Sequence, residues 1–310
     1  MHPAAILLAA SLAFAQNPVP PSIKVDVTLV NVAFTARDSR GRLVTDLTRD
    51  EIEVLEDGVV QPIQFFGRSA DLPLEFAILL DMSGSQERFN HEHHEDLAAF
   101  AKEALTAGDK ALLVCFANRM RIATDFTSSA ADLLIGLDRY GKNKTRTNLI
   151  ELEPDDTRSG GTALFDAIYY TASLKMMEPG ARKALVVFSD GEDNSSARDV
   201  IEAIEAAQSA DALIYTVRFT EFRHGLPTAR NRYGVTEMNR LAADTGGLAF
   251  DAARTDVGAA LSLVSAELRS LYEIGFATTN PGHDGAFRKL KLRSKRPGVT
   301  IRARSGYYAR

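Results

Sequence analysis

Asp81-Met82-Ser83-Gly84-Ser85 places one carboxylate and two hydroxyls within five residues. These residues follow the apolar run Phe76-Ala77-Ile78-Leu79-Leu80. A short continuous run of this kind, bounded by turn residues, predicts a strand buried on both faces. The turn leaves that strand at its carboxyl end, where open α/β sheets keep their ligand sites. Short oxygen side chains, with a glycine that permits a sharp bend, suit a hard divalent cation. An ordinary Ser/Gly/Asp turn has the same composition, so the reading depends on two later stretches.

Gly160-Gly161-Thr162 precedes a helix predicted from residue 163. The glycines allow close backbone approach, and Thr162 brings a hydroxyl to the helix start. Ser189-Asp190-Gly191 follows the apolar run Leu185-Val186-Val187-Phe188, so Asp190 also lies at a strand's carboxyl end. In a doubly wound sheet, the first strand and the strand across the order reversal are neighbours. Asp81 and Asp190 are therefore expected to face each other across the crevice, with Thr162 on the third side. Ser83, Ser85 and Thr162 then supply hydroxyl oxygens, and the two aspartates supply charge, directly or through water. Mg²⁺ is the first expectation, with Mn²⁺ and Ca²⁺ as alternatives. Two formal negative charges leave a divalent ion electrophilic, with a position open to solvent.

The elements that must hold these residues have a clear rhythm. From residue 74 onward, strands alternate with helices of ten to fifteen residues, which predicts a mostly parallel, doubly wound sheet covered on both faces. Helices are expected at 92–105, 130–137, 163–177, 197–209, 235–244 and 256–270, and a long polar loop at 141–161. Both chain ends are β-rich instead. Residues 24–36 alternate, residues 53–61 read as a hairpin with Asp57-Gly58 at its tip, and strands are expected at 63–66, 271–277, 287–294 and 299–303. The simplest architecture is a small β-sandwich-like domain built from both ends, with the α/β domain inserted. Two separate small β units are the alternative.

The 310 residues suffice for such an arrangement, and 45% hydrophobic with 25% charged residues is the composition of a globular protein. A net charge of -5 gives no sign of a nucleic-acid partner. The single cysteine, Cys115, excludes an intramolecular disulfide and lies in an apolar run as a core residue. Residues 4–15 are almost wholly apolar, too short to span a bilayer, and end in Ala13-Phe14-Ala15. They read as a secretory signal cut before Gln16, although the segment ahead of them carries no Lys or Arg. No later segment is long and apolar enough to cross a membrane.

D-x-S-x-S, then a distant Thr, then a distant Asp, in this order, resembles the metal-ion-dependent adhesion site of von Willebrand factor type A domains. All five positions are filled, by Asp81, Ser83, Ser85, Thr162 and Asp190. The resemblance implies an A domain over residues 73–271, flanked by β segments at 16–72 and 272–310 that pack together. It also implies a non-enzymatic adhesion or scaffolding module, in which a partner protein's Asp or Glu carboxylate completes the cation's ligands. The Glu56-Asp57-Gly58 hairpin, the run from Ser189 to Asp193, Ala243-Asp244-Thr245-Gly246-Gly247 and the ending Arg304-Ser305-Gly306-Tyr307-Tyr308 resemble the secreted VWFA-related family of acidobacterial genomes.

Other signals compete with this reading. Residues 136–143 spell G-x-x-x-x-G-K-N, but Asn143 replaces the Ser or Thr of a phosphate-binding loop and a helix precedes it. His91-Glu92-His93-His94-Glu95 does not fit H-E-x-x-H and reads as a solvated helix start. Lys289, Lys291 and Arg293 alternate with Leu290 and Leu292, as on the wet face of a strand. A metal-assisted hydrolase is the alternative function, and Glu192 and Asp193 are its nearest candidate bases. By analogy with A domains that switch, the last helix is a candidate moving element.

Overall fold

The computed structural model describes residues 29–68, 72–142, 149–152, 161–220, 228–280 and 282–309. The proposed signal segment, Gly160 and most of the 141–161 loop lie outside the described residues.

The chain opens with β1 (Leu29–Arg37), β2 (Ile52–Glu56), β3 (Val59–Gln61) and β4 (Ile63–Gly67). Asp57 and Gly58, at φ 49° and 85°, form the tip between β2 and β3, the two-residue turn favoured by strand twist. Next come β5 (Leu74–Asp81), α1 (Asn90–Glu103), β6 (Lys110–Phe116), β7 (Met120–Thr127), α2 (Ala130–Lys142) and β8 (Ile150–Glu151). They are followed by α3 (Leu164–Lys175), β9 (Arg182–Ser189), α4 (Val200–Ser209), β10 (Ala212–Arg218), α5 (Ala229–Thr245), β11 (Ala249–Asp251) and α6 (Val257–Arg269). The chain closes with β12 (Tyr272–Ala277), β13 (Phe287–Ser294), β14 (Thr300–Ala303) and β15 (Gly306–Tyr308).

The central sheet runs β11-β10-β9-β5-β6-β7-β8. β5 pairs in parallel with both β6 and β9, so the order reverses between β5 and β9, as the sequence predicts. Both faces of this sheet are buried. Phe76, Ile78 and Leu80 point to one face, against Leu97 and Phe100 of α1 and Leu261 and Val264 of α6. Ala77 and Leu79 point to the other, against Leu164 and Ile168 of α3 and Ile204 of α4. Cys115 is buried and free, a core residue.

The two chain ends form two further four-stranded sheets, β14-β1-β12-β4 and β15-β13-β2-β3. Each sheet combines strands from both chain ends, which decides for the joint β unit over two separate ones. Val32, Phe34, Val54, Ile274, Phe276 and Leu290 fill its core. The α/β insert leaves after β4 and returns into β12, and these strands pair, with Gly67 opposite Glu273.

Several boundaries differ from expectation. α2 runs five residues past 137, and its Gly136, inside the expected helix, is where a Cβ would meet Thr124 Oγ1 at 1.8 Å and Ala123 O at 2.8 Å. Gly136 thus serves helix–strand packing, and the phosphate-loop spelling lies largely on a helix. α5 starts at residue 229 rather than 235, capped by Thr228, whose Oγ1 accepts from Asn231 N. The short strands β8 and β15 were not expected. α4 starts at residue 200 rather than 197, because Asp199 caps it in a box with Glu202.

The far end of α6 is tied to the β unit. Glu267 is fully buried and accepts from Arg37 Nη2 of β1 at 2.7 Å, from Arg302 Nη2 of β14 and from Tyr215 Oη at 3.3 Å. Arg182 donates to the Leu268 and Leu271 carbonyls, and Arg269 pairs with Asp109 at 2.6 Å. The bond from Arg182 to Leu268 O meets one of the last carbonyls of α6, which a helix end leaves short of partners.

Candidate functional site

β5 and β9 end side by side, and their last residues deliver the two aspartates to one rim. Asp81 is the last residue of β5, and Asp190 directly follows β9. The turn after Asp81 is fixed by its own backbone. Met82 N donates to Phe116 O at 2.7 Å, and Gln86 N donates to Ser83 O at 2.9 Å. Asp81 Oδ1 accepts from Ser83 N at 2.9 Å, and Asp81 Oδ2 accepts from Ser189 Oγ at 2.6 Å. Ser83 Oγ and Ser85 Oγ are hydrogen-bonded to each other at 3.2 Å. Ser85 is exposed, while Asp81, Ser83, Thr162 and Asp190 are buried.

Electrostatics mark this rim. Burial raises the Asp81 carboxyl from its ordinary range to about 7, the bonds from Ser189 and Ser83 oppose that rise, and the Asp190 charge adds to it. Among the described residues, no Lys or Arg forms an ion pair with Asp81 or Asp190. Ser189 also accepts from Gly191 N at 3.0 Å, and Asp190 Oδ1 accepts from Glu192 N at 3.0 Å. The post-β9 turn is thereby held to Asp81 on one side and to its own loop on the other.

Thr162 lies one residue before the α3 cap, Ala163, slightly outside the helix where the sequence placed it. Ala163 N donates to Ala117 O at 2.7 Å, anchoring the approach to α3 at the end of β6. A ladder of bonds then locks Thr162 to the loop after Asp190. Thr162 N donates to Asn194 Oδ1 at 2.8 Å, and Asn194 N and Ser195 N both donate to Thr162 O at 3.1 Å. Phe165 N donates to Asp193 Oδ2 at 3.1 Å. Ala197 N and Arg198 N donate to the buried Asp166 carboxylate, each at 2.9 Å. Gly161, at φ 96°, has no room for a Cβ, which would meet Ser195 Oγ at 1.9 Å. α5 presses on the rim through a second glycine, Gly234, where a Cβ would meet Asp190 O at 2.1 Å.

Asn194, Asp166 and Gly234 were not singled out from the sequence as site residues; Asp193 entered only as a candidate base, and Ser189 only as the neighbour of Asp190. The polar run after β9 was visible, but its bonds to α3 cross from one element to another and leave no local spacing.

The donor set fits a hard divalent cation. It holds two carboxylates and three hydroxyls, with no nitrogen or sulfur ligand, and the buried carboxylate lacks a countercharge. Among the described residues, no three His, Cys, Asp or Glu side chains form a metal cluster. The histidine run is dispersed accordingly. His91 faces Glu95 at 3.6 Å, and His94 faces Asp138 at 3.6 Å. His93 is buried against Phe219, with ring centroids 4.6 Å apart, and its protonation is pushed down to about 4 by burial.

Several solved structures are similar to this chain. An aerotolerance-related membrane protein from Bacteroides fragilis, with multiple mutations to serines, shares 17% identity over 63% of this chain and 98% of that one, at a TM-score of 0.46. Proximal thread matrix protein 1 from the mussel byssus, with a zinc-occupied MIDAS motif, shares 14% identity over 70% of this chain and 50% of that one, at 0.46. A von Willebrand factor type A protein from Catenulispora acidiphila shares 14% identity over 90% of this chain and 73% of that one, at 0.43. No curated protein matches the chain. The family model of the von Willebrand factor type A domain matches residues 76–260, more than half of the sequence, and the chain belongs to that family.

Proposed function

We propose that this protein is a secreted, metal-dependent binding module that captures a partner protein's Asp or Glu carboxylate. Domains of its family often mediate metal-dependent protein interactions. The finer reading rests above all on Asp81, a buried carboxylate beside a second one, with no basic side chain paired to either among the described residues. A bound divalent ion supplies the missing positive charge and a Lewis-acid position for a carboxylate.

Asp81 and Asp190 provide the charge, and Ser83, Ser85 and Thr162 provide the neutral oxygens. Ser189 orients Asp81, and Asn194 holds Thr162 in place. Mg²⁺ is the proposed ion, with Mn²⁺ or Ca²⁺ as substitutes. We place the A domain at 73–271 and the joint β unit at 16–72 and 272–310, after a signal segment at 1–15. N-terminal sequencing of exported protein then begins at Gln16. The flanking motifs leave the chain similar to the secreted VWFA-related family of acidobacterial genomes.

A surface-bound peptide with a single Asp, beside its Asn counterpart, tests the reading. The chain is expected to bind only the Asp peptide, and only with Mg²⁺ or Mn²⁺ present. Equal binding in EDTA overturns it. The hydrolase alternative would use Glu192, whose carboxyl is raised by burial and by Asp190 and lies 3.7 Å from Arg230. Turnover of phosphate esters or peptides, lost in Glu192→Gln, would establish that alternative.

A further inference from the structure

Beside Asp190, a cavity of about 260 Å³ opens between residues 192–194 and the first turns of α5. Glu192, Asp193, Asn194, Ala229, Arg230 and Tyr233 line it. Two of its polar walls are already engaged. Asp193 Oδ2 accepts from Ser196 Oγ at 2.5 Å and from Phe165 N at 3.1 Å, and Asn194 Oδ1 accepts from Thr162 N at 2.8 Å. Three side chains remain to meet a visitor. Glu192 is recessed, with 21% of its side chain exposed. Its charged neighbour is the Arg230 guanidinium at 3.7 Å, beyond hydrogen-bond length. Arg230 is 78% exposed, and Tyr233 presents a ring that is 44% exposed.

Charge decides what this cavity takes. With a divalent ion, ionised Asp81 and Asp190 leave the rim neutral. A partner carboxylate on the ion, Glu192 and Asp193 add three negative charges, and Arg230 cancels only one of them. The occupied rim therefore carries two uncancelled negative charges in a recess partly shielded from water, where charge interactions are stronger than in bulk solvent. An acidic visitor would approach Arg230 against that net negative charge and compete with Glu192 for its guanidinium.

We propose that the cavity receives a Lys or Arg side chain of the partner, next to the acidic residue that meets the ion. Glu192 pairs with the visiting cation, the Tyr233 ring offers its face to it, and Arg230 swings into solvent. The partner segment is thus of mixed charge, a basic residue close to an acidic one, and not an acidic run. This inference rests on the carboxylate-capture reading above.

The test uses the full chain in Mn²⁺ and short peptides with one Asp. A single Lys is moved through the two positions on each side, with norleucine and Glu peptides as counterparts. At least one Lys register is expected to bind about tenfold tighter than its norleucine counterpart. That ratio should fall to about one in Glu192→Gln and shrink in Tyr233→Leu. Metal-dependent binding of every peptide without Lys preference overturns the proposal and leaves carboxylate capture standing. A Glu preference that disappears in Arg230→Gln overturns it in favour of an anion cavity. Binding that ignores EDTA removes the carboxylate-capture reading, and this proposal with it.

Discussion

Two buried carboxylate sites lie at opposite ends of the α/β insert, and they are built differently. At the seam with the β unit, Glu267 is fully buried with Arg37, Arg302 and Tyr215 around it. At the rim, Asp81 is fully buried beside Asp190, and its bonds come from a hydroxyl and a backbone amide. Taking a carboxylate out of water costs several kcal/mol, which only a nearby opposite charge or strong hydrogen bonding offsets. Glu267 carries its countercharge within the chain and acts as structure. Asp81 has none among the described residues, its proton affinity rises with burial, and in the proposed function an external cation completes it. The seam also bears on the notion of a moving last helix. The C-terminal turn of α6 is fixed by Glu267, Arg182 and Arg269, so any motion of α6 has to break those contacts or leave that turn in place.

The largest expected effect comes from breaking the seam. Glu267→Ala leaves two arginines facing a cavity without their partner and should destabilise the chain by about 3–5 kcal/mol in urea unfolding. Unchanged stability would mean that the seam charges are solvated after all. Asp81→Asn should act in the opposite direction when metal is absent. A carboxyl raised to about 7 holds its proton in the folded state, so its stabilising contribution is present at pH 4 and is lost as pH rises through 7. The Asn variant should therefore be up to about 4 kcal/mol more stable than wild type at pH 8, with little difference at pH 4. Added Mg²⁺ should stabilise wild type, by about 2.7 kcal/mol at a hundred times Kd, and leave the variant unmoved.

Asn194→Ala sharpens the comparison further. It removes the acceptor for Thr162 N without touching a proposed ligand, and should weaken metal affinity about tenfold. Equal affinity would show that the bonds to Thr162 O suffice. Asp96 provides the smallest test. Burial, then Glu95, Asp256 and Glu92, raise its carboxyl to about 6. As with Asp81, the sign makes wild type lose stability as pH rises through 6. Asp96→Asn should be stabilised by about 1 kcal/mol at pH 7, after discounting for solvent screening, and by less at pH 4. Unlike the Asp81 variant, it should keep its full response to Mg²⁺.

The sequence made the rim legible because its carriers are local. A parallel strand buried on both faces reads as an unbroken apolar run, and Asp, Ser and Gly mark where it ends, so Asp81 and Asp190 were placed by their neighbours alone. The joint β unit was legible for the same reason, through alternation such as that of β13, where Leu290 and Leu292 are buried and Lys289 and Lys291 exposed. What escaped depends on contacts between distant segments. The first turns of α5 are polar and include Gly234, which breaks the helical pattern yet is required where the helix meets Asp190 O. β8 and β15 are two and three residues long, too short for any periodicity to register. Glu267 is visible as a lone acid in an apolar helix, but its arginines come from opposite ends of the chain. Asn194 and Asp166 bond to backbone amides of another element, which no spacing encodes.

The proposed function requires that Asp81 take up an external cation. Calorimetric titration of Mg²⁺ and Mn²⁺ into metal-free protein, beside Asp81→Asn, tests it most directly. Binding at about one site is expected in wild type and none in the variant. Absence of binding in wild type, or equal binding in the variant, would contradict it.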